Sequence, residues 1–272
     1  MAYPTVSAPY GYKPVNLIGG QVFAGSTRNY PIAYNYGTAI FYGDPVILTS
    51  GYIQIATLPI STTNTTVGIF QGCYYTNPTT KQRQFSQYYP GNVTSGDITA
   101  IVFDDPDAVF KAAVVAAAGS TTIASGSSLL VGQNMAGTSL TGSATSGDGA
   151  NGVVAAGTNT SGGGFRVLGL VPDSQTSSSA TYVSGTGTTS LVVSGLTVGQ
   201  VIPIGTDVFN VVSGQLQFTG STTTAATTVT TTGNTTLTVT AATTAVTGTV
   251  ALVQSPEVLV KLNFGAHRYY VA

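Results

Sequence analysis

The chain has 272 residues, of which 42% are hydrophobic and only 6% are charged, and its formal net charge is −1 at pH 7. That apolar content excludes an intrinsically disordered chain, which is apolar-poor and charge-rich, and so weak a charge excludes strong steering toward phosphate. A single cysteine and a single histidine exclude an intramolecular disulfide and a thiolate-based zinc site.

Residues 1–16, MAYPTVSAPYGYKPVN, carry three prolines together with Tyr3, Tyr10 and Tyr12. Proline removes backbone donors and favours extended chain. An arm lying along a neighbouring subunit is expected here, with these tyrosines as its contacts. No basic region followed by an apolar run opens the sequence, and no apolar stretch is long enough to cross a bilayer. The expectation is a chain made in the cytoplasm, with no membrane partner.

From Leu17 to residue 172, short runs rich in β-branched and aromatic residues alternate with Gly, Pro, Asp and Asn. TAIFYGDPVILTSGYIQIA, DITAIVFDD and GFRVLGLVPD read as strands. The best helix signal is DPDAVFKAAVVAAAG, with Asp105 or Asp107 as N-cap and Gly119 as the stop. Its AVFKAAVV segment suits a strand equally well. Residues 70–91, FQGCYYTNPTTKQRQFSQYYPG, hold the only cysteine, two basic residues, four tyrosines and two phenylalanines. They read as strand, turn and strand.

Residues 174–255 differ in kind, because Asp207 is the only charged residue in them. QLQF and TLTVT alternate apolar with polar, and Ser213-Gly214 and Gly233-Asn234 read as hairpin turns. Phe209, Leu216, Phe218 and Leu237 are expected to face inward. Charge returns in SPEVLVKLNFGAHRYYVA, where Val258, Val260, Leu262 and Phe264 alternate as a final strand. The organisation expected is an arm (1–16), a β-rich core domain (17–173 plus 256–272) and an inserted small β-sandwich (174–255). The fold class is all-β, or mainly β with at most one short helix, around a β-barrel or tulip-like core.

Chemistry is sparse. His267 is the only base of its type, and pairing it with Cys73 would rest on a chance of folding; a small buried cysteine is the simpler reading. The Asp104–Asp107 stretch has three carboxylates but lacks the spacing of a calcium loop, and Asp-Pro is a common turn. The Gly-rich runs lack the Lys-Ser/Thr of a phosphate loop. No catalytic, cofactor or metal residue is therefore assigned. Lys81 and Arg83 lie between aromatics, but two cations are too few for a single-strand groove, so no nucleic-acid partner is expected. Tyrosine and arginine are instead the residues of protein interfaces. The candidate contacts are Tyr3, Tyr10, Tyr12, Tyr74, Tyr75, Lys81, Arg83, Phe85, Tyr88 and Tyr89.

The segments APYGYKPVNLIGGQVFAGSTRNYPIA, GIFQGCYYTNPTTKQRQFSQYYPG, IVFDDPDAVFKAA, RVLGLVPD and PEVLVKLNFGAHRY resemble those of virion structural proteins of tailed phages, marine ones especially, of the head decoration (cement) type. The resemblance covers most of residues 8–173 and 256–272 and is most specific in the middle segment; residues 174–255 show none. It implies a non-enzymatic protein on the outer capsid surface that stabilises the shell, with the major capsid protein and its own copies, as a homotrimer, for partners. The alternative is a fibre or adhesin whose inserted domain contacts host surface glycans.

Overall fold

The structure is a computed structural model. It describes residues 6–18, 20, 25, 27–56, 66–138, 140–155, 163–185, 187–212, 215–240, 248–263 and 267, with backbone alone at 212 and 215–220. The chain begins with β1 (Lys13–Leu17), β2 (Arg28–Pro31), β3 (Pro45–Thr49), β4 (Tyr52–Ile55), β5 (Gly68–Thr76), β6 (Arg83–Ser86), β7 (Thr99–Phe103) and β8 (Ala108–Val115). It continues with β9 (Asn134–Met135), β10 (Val153–Val154), β11 (Phe165–Leu170), β12 (Thr176–Ser184), β13 (Ser190–Ser194) and β14 (Val201–Ile202). It closes with β15 (Asp207–Val212), β16 (Gln215–Thr222), β17 (Thr227–Thr228), β18 (Asn234–Thr238), β19 (Thr249–Gln254) and β20 (Glu257–Leu262). The helical turns among the described residues are two short 3-10 turns, Ser128–Leu130 and Pro172–Ser174. The fold is all-β.

Strands β2 to β7 form a sheet in the order β2-β7-β5-β3-β4, with β6 added along β5. A bridge between Ile32 and Ile53 brings its two ends together, so the sheet curls into a half-barrel. Ile40, Val46, Ile53, Phe70, Cys73, Tyr89 and Val102 fill it. The second sheet runs β1-β8-β20-β11-β9, with β10 parallel to β8. Phe110, Val114, Phe165, Val167, Val258, Val260 and Leu262 form its core, joined by Tyr12 and by Ile69 and Phe103 from the first sheet. Of the alternating set predicted for the last strand, Val258, Val260 and Leu262 point into this core; Phe264 lies outside the described residues.

The ambiguous AVFKAAVV segment is the strand β8. All of it but Lys111 is buried, and it pairs with β1, β20 and β10. A strand covered on both faces reads as a continuous apolar run, and such a run carries no period to separate strand from helix. Asp105 forms a local turn, accepting the Asp107 N–H (2.9 Å).

The chain leaves the second sheet at the end of β11 and returns to it in β20, its antiparallel neighbour. Between them lies a sheet of its own, ordered β16-β15-β19-β12-β13-β18, beside a β14-β17 ribbon. A bridge from Thr223 to Val239 curls this sheet as well. Its core is made of Leu191, Val193, Ile202, Val208, Leu237, Val250 and Leu252. Leu237 is buried as expected and Phe209 half-buried, while the side chains of Leu216 and Phe218 and the Ser213-Gly214 turn lie outside the described residues.

A polar knot holds β1 to the rest of the molecule. Buried Asp44 accepts the Phe41 N–H (2.8 Å) and the Asn151 amide (2.6 Å). Beside it Lys13 pairs with Asp148 (2.5 Å), its ammonium 3.7 Å from the centre of the Tyr42 ring. Burial is the main cause that pushes the Asp44 carboxyl up to about 7.

Candidate interaction surface

The β5–β6 hairpin is built from the densest segment of the sequence. Its register pairs Tyr74 with Phe85, Tyr75 with Gln84 and Thr76 with Arg83. Alternation along β5 then sends Cys73 and Tyr75 inward and Tyr74 outward. Tyr74 is 38% exposed and Phe85 54%. Their rings meet at 5.2 Å, and the Arg83 guanidinium sits 5.7 Å from the Tyr74 ring centre. Aromatic and cation–π contacts of this kind pre-arrange a surface before any partner arrives.

Glycine makes room for that arrangement. A Cβ at Gly72 would lie 2.8 Å from the edge of the Phe85 ring, so the ring rests on bare backbone. The hairpin tip is equally determined. Asn77 accepts the N–H groups of Thr79 (2.9 Å) and Thr80 (3.2 Å) on its side-chain oxygen and the Lys81 N–H (2.9 Å) on its carbonyl. Lys81 takes a left-handed conformation, with φ of 60°. At the base, Asp97 accepts the Thr76 N–H (3.0 Å), the Thr76 hydroxyl (2.6 Å) and the Ser95 hydroxyl. These hydrogen bonds favour the ionised carboxylate and hold it at about 2.

The described cations of the second sheet's strands other than Arg166 are all paired, Lys13 with Asp148, Lys111 with Glu257 and Lys261 with Asp107, and Arg28 of the first pairs with Asp104. Lys81 and Arg83 are exposed and make no ion pair among the described residues. Among the described residues the hairpin therefore presents two cations without an ion-pair partner, Arg83 beside the exposed Tyr74 ring and Lys81 at the tip.

The other expected contacts are distributed differently. Tyr75 and Tyr89 belong to the first sheet's core and are removed from any surface. Tyr75 accepts a hydrogen bond from Gln84 (2.7 Å), and Tyr89 donates to the Tyr36 carbonyl (2.8 Å). Tyr88 is half-buried against Phe41, with ring centres 5.4 Å apart. Tyr12 is buried in the second core, stacked on Phe165 at 4.2 Å, and donates to the Gly152 carbonyl (2.6 Å). Tyr10 donates to Glu257 (2.5 Å), which also pairs with Lys111 (3.3 Å). Tyr3 lies outside the described residues.

These placements correct the expected arm. Residues 13–16 are part of β1, paired with β8, and residues 6–12 lie against their own chain, where Val6 lines a cleft with Ile123, Pro203 and Pro256. Of the described tyrosines of this segment, Tyr12 serves the subunit's own core, where apolar area and a hydrogen-bond partner are both available, and Tyr10 is bonded to Glu257 of its own chain.

Cys73 donates to the Tyr88 carbonyl (3.8 Å), and burial pushes its thiol up to about 12. Thiolate chemistry is disfavoured there at neutral pH. His267 is buried where it bridges to Thr66. Among the described residues no group of three or more His, Cys, Asp or Glu could hold a metal ion. Asp104 instead binds Arg28 (3.1 Å) and the Tyr30 hydroxyl (2.9 Å). Sequence reading missed Gly72, Gln84 and Asp97, whose roles come from strand register, and the exposed Tyr34 and Tyr52. Comparison of the chain with protein-family models, curated proteins and solved structures returned no match.

Proposed function

We propose that this protein is a non-enzymatic virion structural protein of a tailed phage, which binds the outer capsid surface and stabilises the shell. The observation that carries the reading is the hairpin with exposed Tyr74 and Phe85, Arg83 at the Tyr74 ring and Lys81 at the tip, neither cation in an ion pair among the described residues. Aromatic and arginine side chains dominate the energetics of protein interfaces. A repeated shell offers many identical sites, so modest contacts from many copies add up through multivalency. The partners in this reading are the major capsid protein and other copies of the chain, as a homotrimer.

The test is co-sedimentation with shells assembled from the cognate major capsid protein. Wild type is expected to sediment with the shells, and Arg83→Glu with Lys81→Glu is expected to remain in the supernatant with an unchanged circular dichroism spectrum. Binding that survives both reversals removes the hairpin from this role. A truncation that tests residues 1–5 has to stop before Tyr12, because that side chain belongs to the core.

A second reading, contact with host surface glycans, rests on the insertion. Register aligns Thr249, Thr181, Ser194 and Asn234 across β19, β12, β13 and β18, an uncharged polar row facing outward. Binding of the full-length chain to host cells, lost when Thr181 and Thr236 are changed to Lys, would favour it over shell attachment.

A further inference from the structure

The insertion enters and leaves at neighbouring ends of β11 and β20. That connection alone would let it swing as a tethered unit. The contacts at the junction oppose such motion. The core loop Ser125–Ser128 grips the insertion at successive points. Ser125 donates its backbone N–H to the Ile204 carbonyl (2.9 Å), and Gly126 donates to the Ser255 carbonyl (2.7 Å). The Ser255 N–H returns a bond to the Ser125 hydroxyl (2.8 Å). The backbones touch at Gly205, where a Cβ would lie 2.0 Å from the Ser125 carbonyl oxygen.

At the third point stands Asp207, the sole charged residue of 174–255 and only 2% exposed. One carboxylate oxygen accepts the Ser127 hydroxyl (2.5 Å) and the other the Ser128 N–H (2.7 Å). The turn that presents it is set in advance: the hydroxyls of Thr206 and Thr223 both donate to the Pro203 carbonyl (2.7 and 2.8 Å). Burying a carboxylate is costly, and its best-attested benefit is a single specified geometry. Here the geometry specified is that of insertion against core.

We propose that Asp207 is a latch: by bonding Ser127 and Ser128 it locks the insertion onto the core in one orientation, so that the two move and unfold as one body. Asp207 is a positioning residue. Asparagine can keep the arrangement, accepting from the Ser128 N–H and donating to the Ser127 hydroxyl oxygen, whereas alanine keeps neither bond.

The test uses the full chain with spin labels on Thr94→Cys and Thr236→Cys, both exposed sites, the native Cys73 being buried. Pulsed electron paramagnetic resonance should give one narrow distance distribution for wild type and for Asp207→Asn, and a broadened one for Asp207→Ala. Proteolysis of the connections around residues 171–176 and 254–256 should accelerate about tenfold or more in Asp207→Ala, since one lost hydrogen bond to a charged group is worth at least that factor. Ser127→Ala, which removes one of the two bonds, should accelerate it less. A broad wild-type distribution overturns the latch, as does an Asp207→Ala variant that is as narrow and as resistant as wild type. If Asp207→Ala does not fold, Ser127→Ala decides: unchanged proteolysis rejects the latch.

Discussion

The core and the insertion both bury a β-sheet face, but they specify it by different means. In the core, register is marked by large and charged side chains: Tyr12 stacks on Phe165, Lys13 meets Asp148, and Arg28 meets Asp104. In the insertion, Leu and Val alternate with Ser and Thr, and hydroxyls close the turns. A strand that slips by one residue exchanges its two faces. In the core that slip would also strand charges and aromatic rings, while in the insertion the apolar alternation resists it with a single buried charge, Asp207 at the start of β15. The lesson is that the single charge of the insertion is most informative where it is placed, at the boundary with the core.

Substitutions can break or sharpen that contrast. The largest effect is expected from Tyr12→Ala, which empties a fully buried stacked site and should cost about 3–5 kcal/mol, measured by denaturant unfolding. Leu191→Ala in the insertion core should cost about 2–5 kcal/mol. With the latch intact, both variants should still unfold in a single transition. Separate transitions would divide the molecule into independent halves. Gly43→Ala should cost about 1–3 kcal/mol, because φ is 89° there and a Cβ would lie 2.9 Å from the Tyr12 nitrogen.

The effects of pH carry opposite signs. The Asp44 carboxyl is raised from 3.8 to about 7. Its contribution to stability is therefore complete below the unfolded value and is lost as pH rises through about 7. Asp97 is lowered from 3.8 to about 2, so its contribution is complete above the unfolded value and is lost as pH falls through about 2. Melting temperature followed across pH should show the first slope vanish in Asp44→Ala and the second in Asp97→Asn. Because Asp97 is exposed, its slope should be the shallower one.

The fold class was legible because strand patterning is local. Turn residues bracket β-branched runs, and Val258, Val260 and Leu262 alternate inward as their spacing requires. The break in charge content at residues 174 and 255 likewise marked the stretch that forms a separate sheet. Part of the candidate surface was legible too, since an aromatic, arginine-bearing segment stands out in a charge-poor chain. Which of its rings would be exposed was not. The pairs Tyr74-Tyr75 and Tyr88-Tyr89 are alike in sequence, yet Tyr74 is exposed, Tyr88 half-buried, and Tyr75 and Tyr89 interior.

By itself, then, the sequence determined the class of structure, the position of the chargeless segment and the residue types available for contact, because each depends on composition or on a period of two. The tertiary structure alone decided that Tyr10 and Tyr12 serve their own subunit, that β8 is a strand covered on both faces, and that Asp207 faces Ser127 and Ser128. Ser127 and Asp207 lie 80 positions apart in the chain, and Tyr12 is still further from the Gly152 carbonyl it reaches. Pairings at such separation are chosen by which sheets pack together, and no local pattern encodes them.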